Sequence, residues 1–166
     1  MVNIHFKITD DIRHYKAEEY VKEWISIYGG VELCINGQAE GYCPQRELFP
    51  EEEWTEDILY ALSKLADSII HTYCGKDYEI QLLSSNLLTL KMKLEEELII
   101  SCIHEHGNRV LWCERVDYKE YCKEIYRAVG EFLECIRQEN PHLLKAKPIK
   151  EIRDRVRRLK KILDII

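Results

Sequence analysis

No apolar run in this sequence is long enough to cross a bilayer. The longest candidate, around Leu98, is broken by Ser101 and stops at His104, far short of the roughly 18 apolar residues a membrane span requires. The first residues, Met1-Val2-Asn3-Ile4-His5-Phe6-Lys7, lack a basic region followed by an apolar one, so no secretory signal is expected here. Close cysteine pairs are missing too. The seven cysteines, Cys34, Cys43, Cys74, Cys102, Cys113, Cys122 and Cys135, are odd in number and none is nearer than nine residues to the next. That spacing lacks the C-x₂₋₄-C pair by which a zinc site usually declares itself. With no export signal, the thiols are expected to be reduced and to act as small hydrophobes. The expected location is the cytoplasm.

Glycine is scarce, at seven residues, which leaves little material for phosphate-cradling loops. The G-x-S-x-G, P-loop, G-x-G-x-x-G and H-E-x-x-H patterns are all missing, as are internal repeats and low-complexity stretches. The expectation is therefore a protein that is not an enzyme, with no catalytic residue, no metal ligand and no cofactor.

What is present is the material of an ordinary α+β domain. Apolar residues make up 46% of the 166-residue chain and charged residues 33%, enough to fill one core beneath a heavily solvated surface. Ile4-His5-Phe6-Lys7-Ile8 alternates with the period of a half-buried strand. Trp24-Ile25-Ser26-Ile27-Tyr28 and Val31-Glu32-Leu33-Cys34-Ile35 read as two strands punctuated by Gly29-Gly30. Asn36-Gly37 then turns the chain back through Ala39 to Cys43, because both central residues of a type I′ hairpin turn need positive φ. A loop over residues 44–50 leads to a helix over 55–73, N-capped by Thr55, whose stripe is Ile58, Leu62, Leu65, Ile69 and Tyr73.

Four strands follow, over 78–83, 87–94, 98–104 and 109–116, with joints short enough for an antiparallel meander. Asp117 to Glu120 forms a capping-box-like start for a helix whose stripe is Tyr121, Ile125, Val129, Phe132, Leu133 and Ile136. Lys147-Pro148 opens a last helix with an aliphatic seam of Ile149, Ile152, Val156, Leu159, Ile162, Leu163 and Ile166. The expected architecture is a mainly antiparallel sheet, hairpin plus meander, covered by two amphipathic helices. The basic helix of residues 148–166 is either packed last or projecting, and residues 1–166 form a single domain.

Charge is unevenly spread. The net charge is −6, yet residues 141–166 carry nine Lys/Arg against three Asp/Glu, which leaves −12 on the rest. Such a body repels nucleic acid and attracts basic partners. Its densest acids are Glu47, Glu51, Glu52, Glu53, Glu56 and Asp57, set around Phe49 and Trp54, with a second run at Glu95, Glu96 and Glu97. Aromatic rings inside a charged rim have the composition of an interface hot spot. The alternative lies in the C-terminal helix, whose Arg153, Arg155, Arg157, Arg158, Lys160 and Lys161 could serve a regulatory or nucleic-acid-associated module. His104-Glu105-His106 has strand spacing for a shared metal but no third ligand nearby. Cys102, two residues from His104, is better placed for packing than for nucleophilic chemistry.

The run from Trp24 to Gly37, followed by a helix, a meander and the helix over 118–136, resembles small bacterial immunity proteins of contact-dependent inhibition and other polymorphic toxin systems. The resemblance spans residues 20–137 and lies in layout, size and charge. It implies a cytosolic protein that binds one cognate basic toxin domain, often a nuclease, and blocks its active site or substrate surface. It transfers no functional residue by position, and it does not account for the basic tail.

Overall fold

A computed structural model describes residues 1–16, 25–42, 56–81 and 88–166. The α+β class holds, with the hairpin and the meander built as separate four-stranded antiparallel sheets. The first contains β1 (Val2–Ile8), β2 (Tyr28–Ile35) and β3 (Gln38–Tyr42) in that order, with the short β4 (Glu56–Asp57) beside the start of β2. The second runs β5 (Tyr78–Gln81), β6 (Leu88–Leu94), β7 (Leu98–His104) and β8 (Arg109–Val116) in chain order. The helices are α1 (Ile58–Tyr73), α2 (Tyr118–Glu139) and α3 (Lys147–Leu163).

Alternation decides which face of each strand is buried. Val2, Ile4, Val31, Leu33 and Ile35 line the inner face of the first sheet, and Ile80, Leu90, Met92, Leu98, Ile100 and Cys102 that of the second. Both faces and all three helices feed one continuous apolar cluster. Tyr121 is central to it. Its ring is fully buried, and its hydroxyl meets Ser68 Oγ of α1 at 2.9 Å and Met92 Sδ of β6 at 3.3 Å. A buried phenol is tolerated because its O–H is satisfied.

Two expectations change in detail. Gly29-Gly30 does not divide two strands: β2 runs straight through it from Tyr28, and pairing with β1 continues to Ile8 opposite Gly29. Glycine here serves close packing, since a Cβ on Gly29 would lie 2.0 Å from the Lys7 carbonyl oxygen and 2.6 Å from Ile58 Cδ1. α1 begins at Ile58, and its cap is Asp57, which accepts the Tyr60 N–H at 3.1 Å; Thr55 lies outside the described residues. At α2 the Asp117 carboxylate accepts the Glu120 N–H at 2.7 Å, as the capping pattern implies.

The basic helix does not project. Ile149, Ile152, Leu159 and Ile162 of α3 are buried against α1 and α2, and Arg155 clasps Asp67 of α1 with Nε–Oδ1 2.7 Å and Nη2–Oδ2 3.2 Å. No helix among the described residues is long and apolar enough to cross a membrane.

Candidate functional site

Among the described residues, the acids picked out in the sequence are not gathered on one patch. Glu56 and Asp57 pair with Gly29 and Tyr28 at the start of β2. Glu95, Glu96 and Glu97 form the β6–β7 turn, at the other end of that strand. Their position is fixed through Asn36, which occupies the β2–β3 turn at φ 49° beside Gly37 at φ 91°. Its Nδ2 donates to Glu114 Oε2 at 3.0 Å and to the Arg115 carbonyl at 3.1 Å, and Arg115 Nη1 reaches Glu95 Oε2 at 4.0 Å. Gly29, beside Glu56, and Asn36 lie seven strand steps apart, roughly 23 Å at about 3.3 Å per residue. Glu47, Phe49, Glu51, Glu52, Glu53 and Trp54 lie outside the described residues.

Several carboxylates already have structural duties. Asp57 caps α1 and Asp117 caps α2. Glu95 pairs with Lys93 at 2.9 Å, which holds its carboxyl below the usual range. Glu120 accepts the Val2 N–H at 2.9 Å. Partial burial raises the carboxyl of Glu56 above its ordinary value. Glu96 and Glu97 are exposed and make no ion pair or side-chain hydrogen bond among the described residues. They stand at the tip of an end that also carries Glu114, Asp117 and Glu120.

A groove of about 390 Å³ between α1 and α3 includes Asp57 but has no single sign of charge, because Asp67 and Glu151 face Lys64 and Arg155 there. On α3, Arg157 pairs with Asp154 at 2.7 Å and Lys160 with Asp164 at 3.5 Å. Lys150, Arg153, Arg158 and Lys161 are exposed without an ion pair among the described residues.

One half-buried polar contact has no signal in the sequence. Glu40 sits opposite Leu33 in the β2–β3 register and so faces the core side. Its Oε1 accepts Trp112 Nε1–H at 2.8 Å and the Cys102 thiol at 3.5 Å, which ties the two sheets together. Burial, and then the charge of Glu40, pushes the Cys102 thiol up to about 12. A thiol held protonated in this way is a packing group with a weak donor, as expected for Cys102. His104 directs Nδ1 at the His106 carbonyl oxygen, 3.3 Å away. Among the described residues, no group of three metal-ligating side chains includes His104 or His106.

Comparison with known proteins returns no match: no family model, no curated protein and no solved structure matches this chain.

Proposed function

We propose that this chain is a non-enzymatic interaction protein, an immunity protein of the bacterial cytoplasm that neutralises a cognate basic toxin domain by covering it with acidic surface. The observation that supports this reading is the acidic tip at the β6–β7 turn, where Glu96 and Glu97 are solvated and, among the described residues, make no ion pair, while their neighbours hold the scaffold. Carboxylates free of internal partners keep their full field for an incoming cation, and such fields raise association rates and select partners by sign. Residues 47–57, with Phe49 and Trp54 among the acids, form the second contact region of this proposal.

Co-expression with the toxic domain encoded beside this gene tests it. Wild-type protein restores growth. Glu96→Lys combined with Glu97→Lys, or Glu51→Lys, Glu52→Lys and Glu53→Lys together, reduces protection. Absence of both complex and protection with the wild-type chain rejects the proposal.

A second reading uses α3, whose Lys150, Arg153, Arg158 and Lys161 offer uncompensated cations to phosphates. It requires salt-sensitive binding to DNA or RNA that Arg153→Glu with Arg158→Glu abolishes. No binding at low salt eliminates it. Charge reversal suits this test better than truncation, because removing α3 would also strip four buried aliphatic side chains from the core.

A further inference from the structure

On the outer face of the first sheet, the β1–β2 register places three metal-ligating side chains of different chemistry together. His5 lies directly opposite Glu32, and Cys34 follows Glu32 by two residues on β2, opposite Asn3. Their inner neighbours Ile4, Leu33 and Ile35 point into the core, so alternation sends all three to the other side. One ligand atom from each lies within 4.8 Å of the other two. The Cys34 thiol already donates to Glu32 Oε1 at 3.3 Å. Among the described residues this is the one such trio. On β3 only small residues flank the trio, Ala39 opposite Cys34 and Gly41 opposite Glu32.

We propose that His5, Glu32 and Cys34 bind a borderline divalent transition-metal ion of the zinc class through imidazole nitrogen, carboxylate oxygen and thiolate, with a fourth position open to water. Such ions take N, O and S donors in tetrahedral sets, and zinc's bond lengths place donors roughly 3.5 Å apart. The thiol and carboxylate already meet that spacing, and exposed His5 closes the remainder by turning about its own side-chain bonds. Two neighbouring strands in fixed register supply a rigid frame, since facing residues have Cβ atoms about 5 Å apart. Binding replaces the proton on Cys34 Sγ, which leaves to solvent, so affinity rises with pH. This site is independent of the acidic tip, and either proposal can fail without the other.

Titration of the full-length, chelator-treated protein with Co²⁺, and then displacement by Zn²⁺, reads the site directly. The expected result is one equivalent of Co²⁺ with a thiolate-to-metal charge-transfer absorption that Zn²⁺ bleaches. Loss of a supporting residue outside a metal's ligand set typically costs 10–100-fold in affinity, so Cys34→Ser should cost about 100-fold or more, and His5→Ala or Glu32→Gln at least about 10-fold. Cys113→Ser, an exposed thiol of the second sheet, and His104→Ala should leave affinity unchanged. As a readout on unaltered protein, Zn²⁺ should shift the ring signals of His5 and spare those of His104 and His106. No charge-transfer absorption in the wild type, its survival in Cys34→Ser, or a shift at His104 in place of His5 overturns the proposal.

Discussion

Gly29 has no room for a side chain. A methyl group there would collide with the Lys7 carbonyl oxygen on β1 and with Ile58 Cδ1 at the start of α1, and a backbone atom cannot step aside as a flexible side chain can. Gly29→Ala should destabilise the protein by about 3 kcal/mol or more, read as a lower urea midpoint; an unchanged midpoint would contradict the seating of β2. The buried thiols yield a second prediction. Burial is the largest cause that pushes Cys102 and Cys122 from 9.0 to about 12, so the folded state favours the neutral thiol over the thiolate. Their contribution is complete below pH 9 and is lost as pH climbs from 9 toward 12. Denaturation midpoints measured up that range should fall, and Cys102→Ala with Cys122→Ala should lessen the slope by up to two protons.

α2 does more than bury Tyr121, Ile125, Val129, Phe132 and Ile136. It also covers the open edge of β1. Glu120 and Glu124, one helical turn apart, accept the N–H groups of Val2 and Ile4 at 2.9 and 2.8 Å, and Arg127 Nη2 donates to the Ile4 carbonyl at 2.8 Å. An edge strand left bare would invite pairing with other chains. The Arg127 guanidinium, with the Ile4 amide, holds the Glu124 carboxyl below its ordinary 4.5. A depressed carboxylate stabilises the fold above its unfolded-state value, and that stability is lost as pH falls through the lowered one. Glu124→Gln should therefore cost about 1–3 kcal/mol at neutral pH and flatten the loss of stability below pH 4.5, seen in denaturation midpoints across the acid range.

Elements of this kind are where the sequence is most readable. The stripes of α1, α2 and α3 repeat every three or four residues, and the Asn36-Gly37 turn and the meander declare themselves through turn chemistry and alternation. Gly29-Gly30 misleads because glycine normally punctuates, whereas here it permits close approach. Register is harder. His5 and Cys34 are far apart in the chain, and only the pairing of β1 with β2 brings them together. Glu40 likewise looks like a solvent-facing acid until its position opposite Leu33 turns it inward.

At the scale of the whole molecule, the split between an acidic body and a basic tail becomes a three-dimensional arrangement. α3 is part of the body, held by four buried aliphatics and by Arg155 on Asp67, so its cations offset some of the acidity over α1 and α2. Of the acids picked out in the sequence, those described divide between the two ends of β2. Asp57 is committed to capping α1 and Glu56 is partly buried, while Glu96 and Glu97 at the far tip are exposed and are the contacts of the proposed interface. The affinity of the chain for the proposed cognate toxin domain, measured across a salt series for the wild type and for Glu96→Lys with Glu97→Lys, tests this account most directly. It predicts a complex that weakens as salt rises, and a variant that binds at least about tenfold less tightly at low salt with a shallower salt dependence. No complex, or equal affinity and equal salt dependence for the two proteins, would contradict it.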